Sequence, residues 1–216
     1  LAAGCFRPGH GAGALQTWLL FATVGAVLLA GAADLMGLVL GLLLSSMTGY
    51  VLAAYHRQSK ESGEAAIKYY LLGALTNALM LVGVVLLFGL GTTTTYPGLS
   101  QTLPGADPLG VLAGTGLLLL GMAFKVGAVP VHPWVPDVAE GAPAPAAAFL
   151  LTAPKVGGII AIARIAALLA DAPVGWRPAI ALIAAATMTL GNLAALWQTD
   201  VRRLLGWSAV SQTGYA

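Results

Sequence analysis

Apolar segments of about bilayer-crossing length follow one another along almost the whole chain, and no other feature constrains its fold as much. A spanning helix takes about 20 mostly apolar residues. Runs near that length cover residues 14–33, 35–55, 65–90, 109–129, 144–170 and 178–198, and a further one opens near Leu204. Lipid offers the backbone no hydrogen-bonding partners, so each segment must satisfy its own N–H and C=O groups, which favours helices. The spacing predicts an all-α, polytopic transmembrane helix bundle. Residues 1–216 are expected to form a single transmembrane domain of about seven membrane segments. Composition agrees: 58% of the residues are hydrophobic and 8% charged, with mean hydropathy +0.87. Soluble domains carry roughly a quarter charged residues. The net charge of +2 and the lack of a basic stripe exclude nucleic acid as a partner and leave the lipid bilayer as the surroundings. Cys5 is the one cysteine, so an internal disulfide and a cysteine-ligated metal cluster are excluded. The chain does not begin with methionine and stops at "SAVSQTGYA", inside an apolar segment, so a longer protein is expected.

Loop charges set an orientation. The stretches "HRQSKESGE" from His56 and "TDVRR" from Thr199 are basic, whereas residues 91–108 hold no Lys or Arg. The positive-inside rule places the first two in the cytoplasm and the third outside. The parity works if the helix from Leu109, interrupted near Pro130, continues through "VHPWVPDVAE" to complete one crossing. Only Asp34 separates the first two segments, so the turn there must be tight. Gly37 with Gly41 and Gly110 with Gly114 are four apart, a spacing that lets helices approach closely.

The charges inside these runs are the chemically informative residues. Lys125 sits near the middle of 109–140, roughly 20 Å from either end at a helical rise, too far to snorkel. A charge at mid-membrane normally faces a partner or a hydrated cavity. Pro130, Pro133 and Pro136 each lack an N–H and cannot all sit in a regular helix. Broken backbone at that depth is tolerated only against protein or water. Lys125 is then either a proton carrier in a wet gap or a cap for carbonyls freed by the break. Lys155, directly after Pro154, is either a second relay lysine or a structural donor to the carbonyl near Leu150. His132, in the break, could bridge the two lysines, since imidazole both donates and accepts, or serve as a structural hydrogen-bonder. Lys68, about one turn from the cytoplasmic end of its helix, is read as snorkelling. Asp137 and Glu140 are expected to cap the next helix start, the alternative being that they line an inlet, and Arg164 to pair locally. No phosphate loop, metal-ligand cluster or nucleophile–base pair is present, so the available chemistry is proton movement and no catalytic residue is assigned.

The stretch "FKVGAVPVHPWVPDVAEGAPAPAAAFLLTAPK" resembles the signature of the antiporter-like subunits of respiratory complex I, NADH:quinone oxidoreductase. "SGEAAIKYYLLGAL" from Ser62 and "GNLAALWQTDVRRLLGWSAVSQTGYA" from Gly191 carry the same resemblance, which extends from about Leu15 to the end. The "PDVAEGAP" form is most similar to the subunit N branch of bacterial complexes. The resemblance implies a proton-translocating subunit of the bacterial plasma (inner) membrane, in which Lys125 is the central lysine on a broken helix. Lys155 would be the relay lysine and Lys68 a further lysine on the cytoplasmic side. It implies no redox cofactor on this chain. FMN, iron–sulfur clusters and quinone would belong to partner subunits, beside other membrane subunits that include further antiporter-like ones. A second broken helix would lie beyond Ala216. One departure matters: Leu43 stands in "VLGLLLSSMTGYVLAAY" where the family carries a glutamate. The alternatives this opens are a carboxylate from a neighbouring subunit, a non-pumping structural paralogue, or a subunit of a cation/proton antiporter or membrane hydrogenase.

Overall fold

The computed structural model describes residues 12–56, 59–170 and 175–216. Cys5 lies outside them. The described residues form ten α-helices and no strand: α1 (Ala12–Gly31), α2 (Leu35–Ala53), α3 (Lys60–Gly91), α4 (Tyr96–Thr102), α5 (Pro108–Val126), α6 (Trp134–Gly141), α7 (Ala144–Leu150), α8 (Ala153–Leu168), α9 (Trp176–Ala195) and α10 (Val201–Tyr215). Six stretches are long and apolar enough to cross a membrane: 13–31, 35–53, 60–91, 108–126, 144–168 and 176–195. The expected all-α bundle is therefore what the chain folds into.

Polar residues at the helix starts explain the boundaries. The α1–α2 turn is tight, as anticipated, because Asp34 caps α2 with Oδ1 accepting from Gly37 N at 2.6 Å. Ser59 caps α3, Asp107 caps α5 and Asp200 caps α10, each accepting from a backbone N–H of the first turn. Such caps satisfy donors that a helix start leaves unpaired. The caps place two starts earlier than hydropathy suggests, α3 at Lys60 and α10 at Val201. The uncharged connection at 91–108 is also more ordered than a loop, holding α4 and a 3₁₀ turn at Leu103–Gly105.

Lipid tails are as apolar as leucine, so association here depends on close packing rather than on escape from water. Large side chains such as Leu20, Leu71, Val85, Leu109 and Leu182 point outward, as a bilayer demands. Between the helices, one cluster gathers Tyr69, Phe124, Trp134, Val135 and Leu150, and another gathers Leu38, Leu42, Met80, Leu118 and Met122. Of the two spaced glycine pairs, three members make an interhelical approach. A Cβ on Gly41 would lie 2.5 Å from Leu29 N, one on Gly114 would press on Leu87 and one on Gly110 on Leu90, whereas Gly37 faces its own cap, Asp34.

Apart from Lys125 and Lys155, the charged side chains of the described residues lie towards the two ends of the bundle. At one end Tyr96 N donates to Ala33 O at 3.4 Å and Leu35 N to Thr94 O at 2.9 Å, pinning the α1–α2 turn to the start of α4. Arg164 Nη1 reaches the same turn, donating to Ala32 O at 2.9 Å. The local pairing expected for Arg164 is thus replaced by a long-range one, because a guanidinium on α8 is long enough to reach carbonyls left over at the end of α1. The basic stretches around 60 and 202 meet at the opposite end, in keeping with the parity argument.

Candidate functional site

The break between α5 and α6 is built by glycine, prolines and borrowed donors. Gly127 ends α5 with φ 75°, in the left-handed region that favours glycine. Ala128 N then bonds back to Ala123 O at 2.8 Å and Gly127 N to Phe124 O at 3.0 Å. A side chain at Gly127 would also collide with Val135 Cγ2, 2.6 Å from an ideal Cβ. Pro130 lies in the break and Pro133 caps α6. Pro136 sits inside the first turn of α6, where a missing N–H costs no helical bond.

Two backbone groups of the break find partners on other elements. Val126 O accepts from Thr213 Oγ1 of α10 at 2.9 Å, and Val129 N donates to Thr187 Oγ1 of α9 at 3.1 Å. Phe124 O also accepts from Trp134 Nε1 at 3.1 Å, which ties the two half-helices together. The Trp134 ring stacks on Tyr69 at 4.4 Å between centroids. Irregular backbone survives at membrane depth only where protein or water satisfies it.

Lys125 occupies the last turn of α5, facing the partial negative charge of that helix end. Its residue is 1% exposed, and Nζ has no hydrogen-bond partner among the described residues. The carbonyl-capping role that the sequence leaves open is thus filled instead by Thr213 and Trp134. The lysine stem runs beside Gly158 of α8, where an ideal Cβ would be 3.6 Å from Lys125 Cγ.

Lys155 lies in the first turn of α8 rather than mid-helix, because the chain breaks at 151–152 between α7 and α8. It does not bond the carbonyl near Leu150. Its Nζ donates to Ala209 O at 2.8 Å and to Thr213 Oγ1 at 3.1 Å on α10. Its amine also lies beside Gly127, 3.4 Å from where a Cβ would stand. Thr213 therefore links Lys155 to the carbonyl one residue after Lys125. His132 is in the break and buried, its ring 5.5 Å from that of Trp207, and it makes no direct hydrogen bond to either lysine.

Lys68, Asp137, Glu140 and Arg203 come together at the end of the bundle that holds the basic stretches. Lys68 Nζ lies 2.6 Å from Glu64 Oε1 and 2.9 Å from Asp137 Oδ2. Arg203 Nη1 lies 3.0 Å from Asp137 Oδ1 and 2.7 Å from Glu140 Oε2. Arg202 donates to Ala142 O. The two acids therefore do not cap α7, whose start carries no side-chain cap. Instead they join α3, α6 and α10 around a pocket of about 200 Å³, because both cations face that end of α6. Leu43 is half-buried against the cluster around Leu38 and Met80. Among the described residues Asp and Glu occur only at or near helix ends, and no group of His, Cys, Asp and Glu is arranged to hold a metal. Thr213, Thr187 and Asn77 are polar site residues that sequence reasoning passed over; the available signal was a lone hydroxyl or amide inside an apolar helix.

Residues 32–216 match the family described as NADH:quinone oxidoreductase/Mrp antiporter, TM. The chain is 50% identical over 197 residues to NADH-quinone oxidoreductase subunit N of Mycobacterium sp. (strain JLS), a match covering 91% of this chain and 42% of that protein. It is 43% identical over 204 residues to subunit N of Rhodospirillum rubrum, covering 92% and 41%. Among solved structures it resembles a chain of respiratory complex I from Thermus thermophilus with bound aureothin. That match has a TM-score of 0.85 at 33% identity, covering 99% of this chain and 46% of that one. The archaeal membrane-bound sulfane sulfur reductase gives the same TM-score at 29% identity, covering 93% and 41%. The chain spans less than half the length of these curated relatives. It is a multi-pass membrane protein, and it belongs to the NADH:quinone oxidoreductase/Mrp antiporter transmembrane family, where its similar relatives are subunits N of NADH-quinone oxidoreductase.

Proposed function

We propose that the chain is a proton-translocating membrane subunit of a bacterial NADH:quinone oxidoreductase, with Lys125 as the carrier. One arrangement supports this most directly. Lys125 is buried without a hydrogen-bond partner among the described residues at a helix break, and the Lys155 amine reaches the same break through Thr213. A lysine held out of water beside a polar gap can accept and release a proton, which a fully paired one does poorly. Lys155 then serves as the next station and His132 as a water-linked one. The Lys68 pocket is the cytoplasmic mouth, where Asp137 and Glu140 keep a hydrated, charged entrance. The break at Pro130 and Pro133, with Pro136 starting α6, keeps the gap open.

On this reading residues 1–216 form one transmembrane domain, with α10 opening a seventh segment. The redox chemistry, with FMN, iron–sulfur clusters and quinone, belongs to partner subunits, and further antiporter-like subunits lie alongside. One observation favours a second reading, a structural subunit that does not pump: Leu43 leaves Lys125 without a carboxylate at its depth among the described residues. Loss of NADH-driven proton uptake on Lys125→Ala, at equal assembly, separates the two.

A further inference from the structure

Three polar atoms where α2 and α3 pack, Ser46 Oγ, Tyr50 OH and Asn77 Oδ1, are buried without a hydrogen-bond partner among the described residues, as is Lys125 Nζ on α5, which packs on α3. The Ser46 residue is 0% exposed and Asn77 7%. The large majority of buried side-chain polar atoms in folded proteins are matched, by protein or by ordered water, so a group of unmatched ones at a single interface calls for a small polar partner.

The placement is specific. The Tyr50 hydroxyl faces both Ser46 and Asn77. It rests over Gly73 of α3, where a side chain would displace it. Gly73 also abuts Phe124, and Met80 abuts Gly121, so Asn77 lies between two contacts of α3 with the stretch of α5 just before Lys125. On α2, Leu43, Ser46 and Tyr50 recur at i, i+3 and i+7 and share one face. That face offers the interface two hydroxyls and no carboxylate.

We propose that Ser46, Tyr50 and Asn77 form a neutral, water-holding site that exchanges protons with Lys125. Water is the ligand this chemistry fits: it donates to Asn77 Oδ1 and both donates to and accepts from the hydroxyls, as buried waters do with about three partners. In the transfer an N–H bond of the Lys125 ammonium breaks and an O–H bond to the neighbouring water forms. That water releases a different proton to the next, and Lys125 is left as the neutral amine until it is reprotonated from the other side. Ser46, Tyr50 and Asn77 are positioning residues, which hold the waters and keep their own protons on balance. The inference rests on Lys125 being the carrier.

The test uses the full complex in inverted membrane vesicles, comparing NADH-driven proton uptake at equal assembly. Asn77→Leu and Tyr50→Phe are each expected to remove most of the uptake that Lys125→Ala removes. Adding Leu43→Glu to Asn77→Leu is expected to restore it, because it places a proton acceptor on the same face of α2. A merely structural role for Asn77 is not repaired in this way. Cryo-electron microscopy of the complex, at a resolution showing ordered water, is expected to place a water within hydrogen-bonding distance of Asn77 Oδ1; it decides the matter if Leu43→Glu prevents assembly. Unchanged uptake in Asn77→Leu and Tyr50→Phe, no recovery with Leu43→Glu, or a dry interface overturns this site. If Lys125→Ala also leaves uptake unchanged, the carrier role falls with it; if Lys125→Ala alone abolishes uptake, only the water site falls.

Discussion

Lys155 and Thr213, 58 residues apart in sequence, meet across the bundle with Nζ 3.1 Å from Oγ1. The same hydroxyl lies 2.9 Å from Val126 O and 2.9 Å from Ala209 O. A lysine on α8, the last turn of α10 and the broken end of α5 thereby share one hydroxyl. Thr213→Val keeps the volume and removes it, leaving Val126 O without that donor and Lys155 with one acceptor fewer. An orphaned buried group costs about 1–3 kcal/mol. The purified complex is expected to show an earlier thermal-inactivation midpoint with Thr213→Val and a near-native one with Thr213→Ser. Equal midpoints for all three proteins would contradict the bridging role.

Gly127 is required both by its backbone and by its neighbour. At φ 75° with Val135 Cγ2 2.6 Å from an ideal Cβ, alanine meets strain and a collision together. Strained non-glycine backbone alone costs on the order of 1–3 kcal/mol. Gly127→Ala is expected to lower the membrane content of assembled subunit measurably, whereas Gly116→Ala, where a Cβ meets nothing within 4 Å, is expected to leave it unchanged.

Asp137 carries more than its neighbours at the charged end of the bundle, since it bridges Lys68 and Arg203 while its side chain is only 16% exposed. Glu64, at 67%, makes an i,i+4 pair of a kind worth about 0.3–0.5 kcal/mol. Asp137→Asn is therefore expected to destabilise the complex more than Glu64→Gln. A double-mutant cycle between Lys68→Ala and Asp137→Ala is expected to give a coupling of about 1 kcal/mol. A coupling near zero would show that the pair is too well solvated to hold α6.

The parts of this molecule that were legible in the sequence are those where a residue breaks a strong local rule. A lysine in an apolar run, and three prolines within seven residues, cannot be accommodated by a plain spanning helix, so Lys125 and the broken helix announced themselves. Helix caps moved boundaries only slightly, because Ser59 and Asp200 act locally. What stayed hidden depends on partners distant in the chain. Nothing near Arg164 points to Ala32, nothing near Arg203 points to Asp137 and Glu140, and Thr213 reads as one more small residue until α10 folds back on the break. The interruption at 151–152 was obscured because the apolar run is continuous across it, whereas Pro143 and Pro154 each lie at the start of a separate helix. Whether Leu43 ends proton transfer is a question of coupling energy, which no local pattern encodes.

The central claim is that Lys125 works by giving up and regaining a proton, and one comparison tests it most directly. NADH-driven proton uptake is measured in inverted vesicles carrying the native complex, Lys125→Ala or Lys125→Arg, at equal assembly. Alanine removes the carrier, and arginine keeps the charge but holds its proton throughout the physiological range. Uptake is predicted to fall in both variants. Native uptake with Lys125→Arg would mean that a fixed charge suffices, and native uptake with Lys125→Ala would mean that this subunit is a scaffold whose lysine serves structure alone.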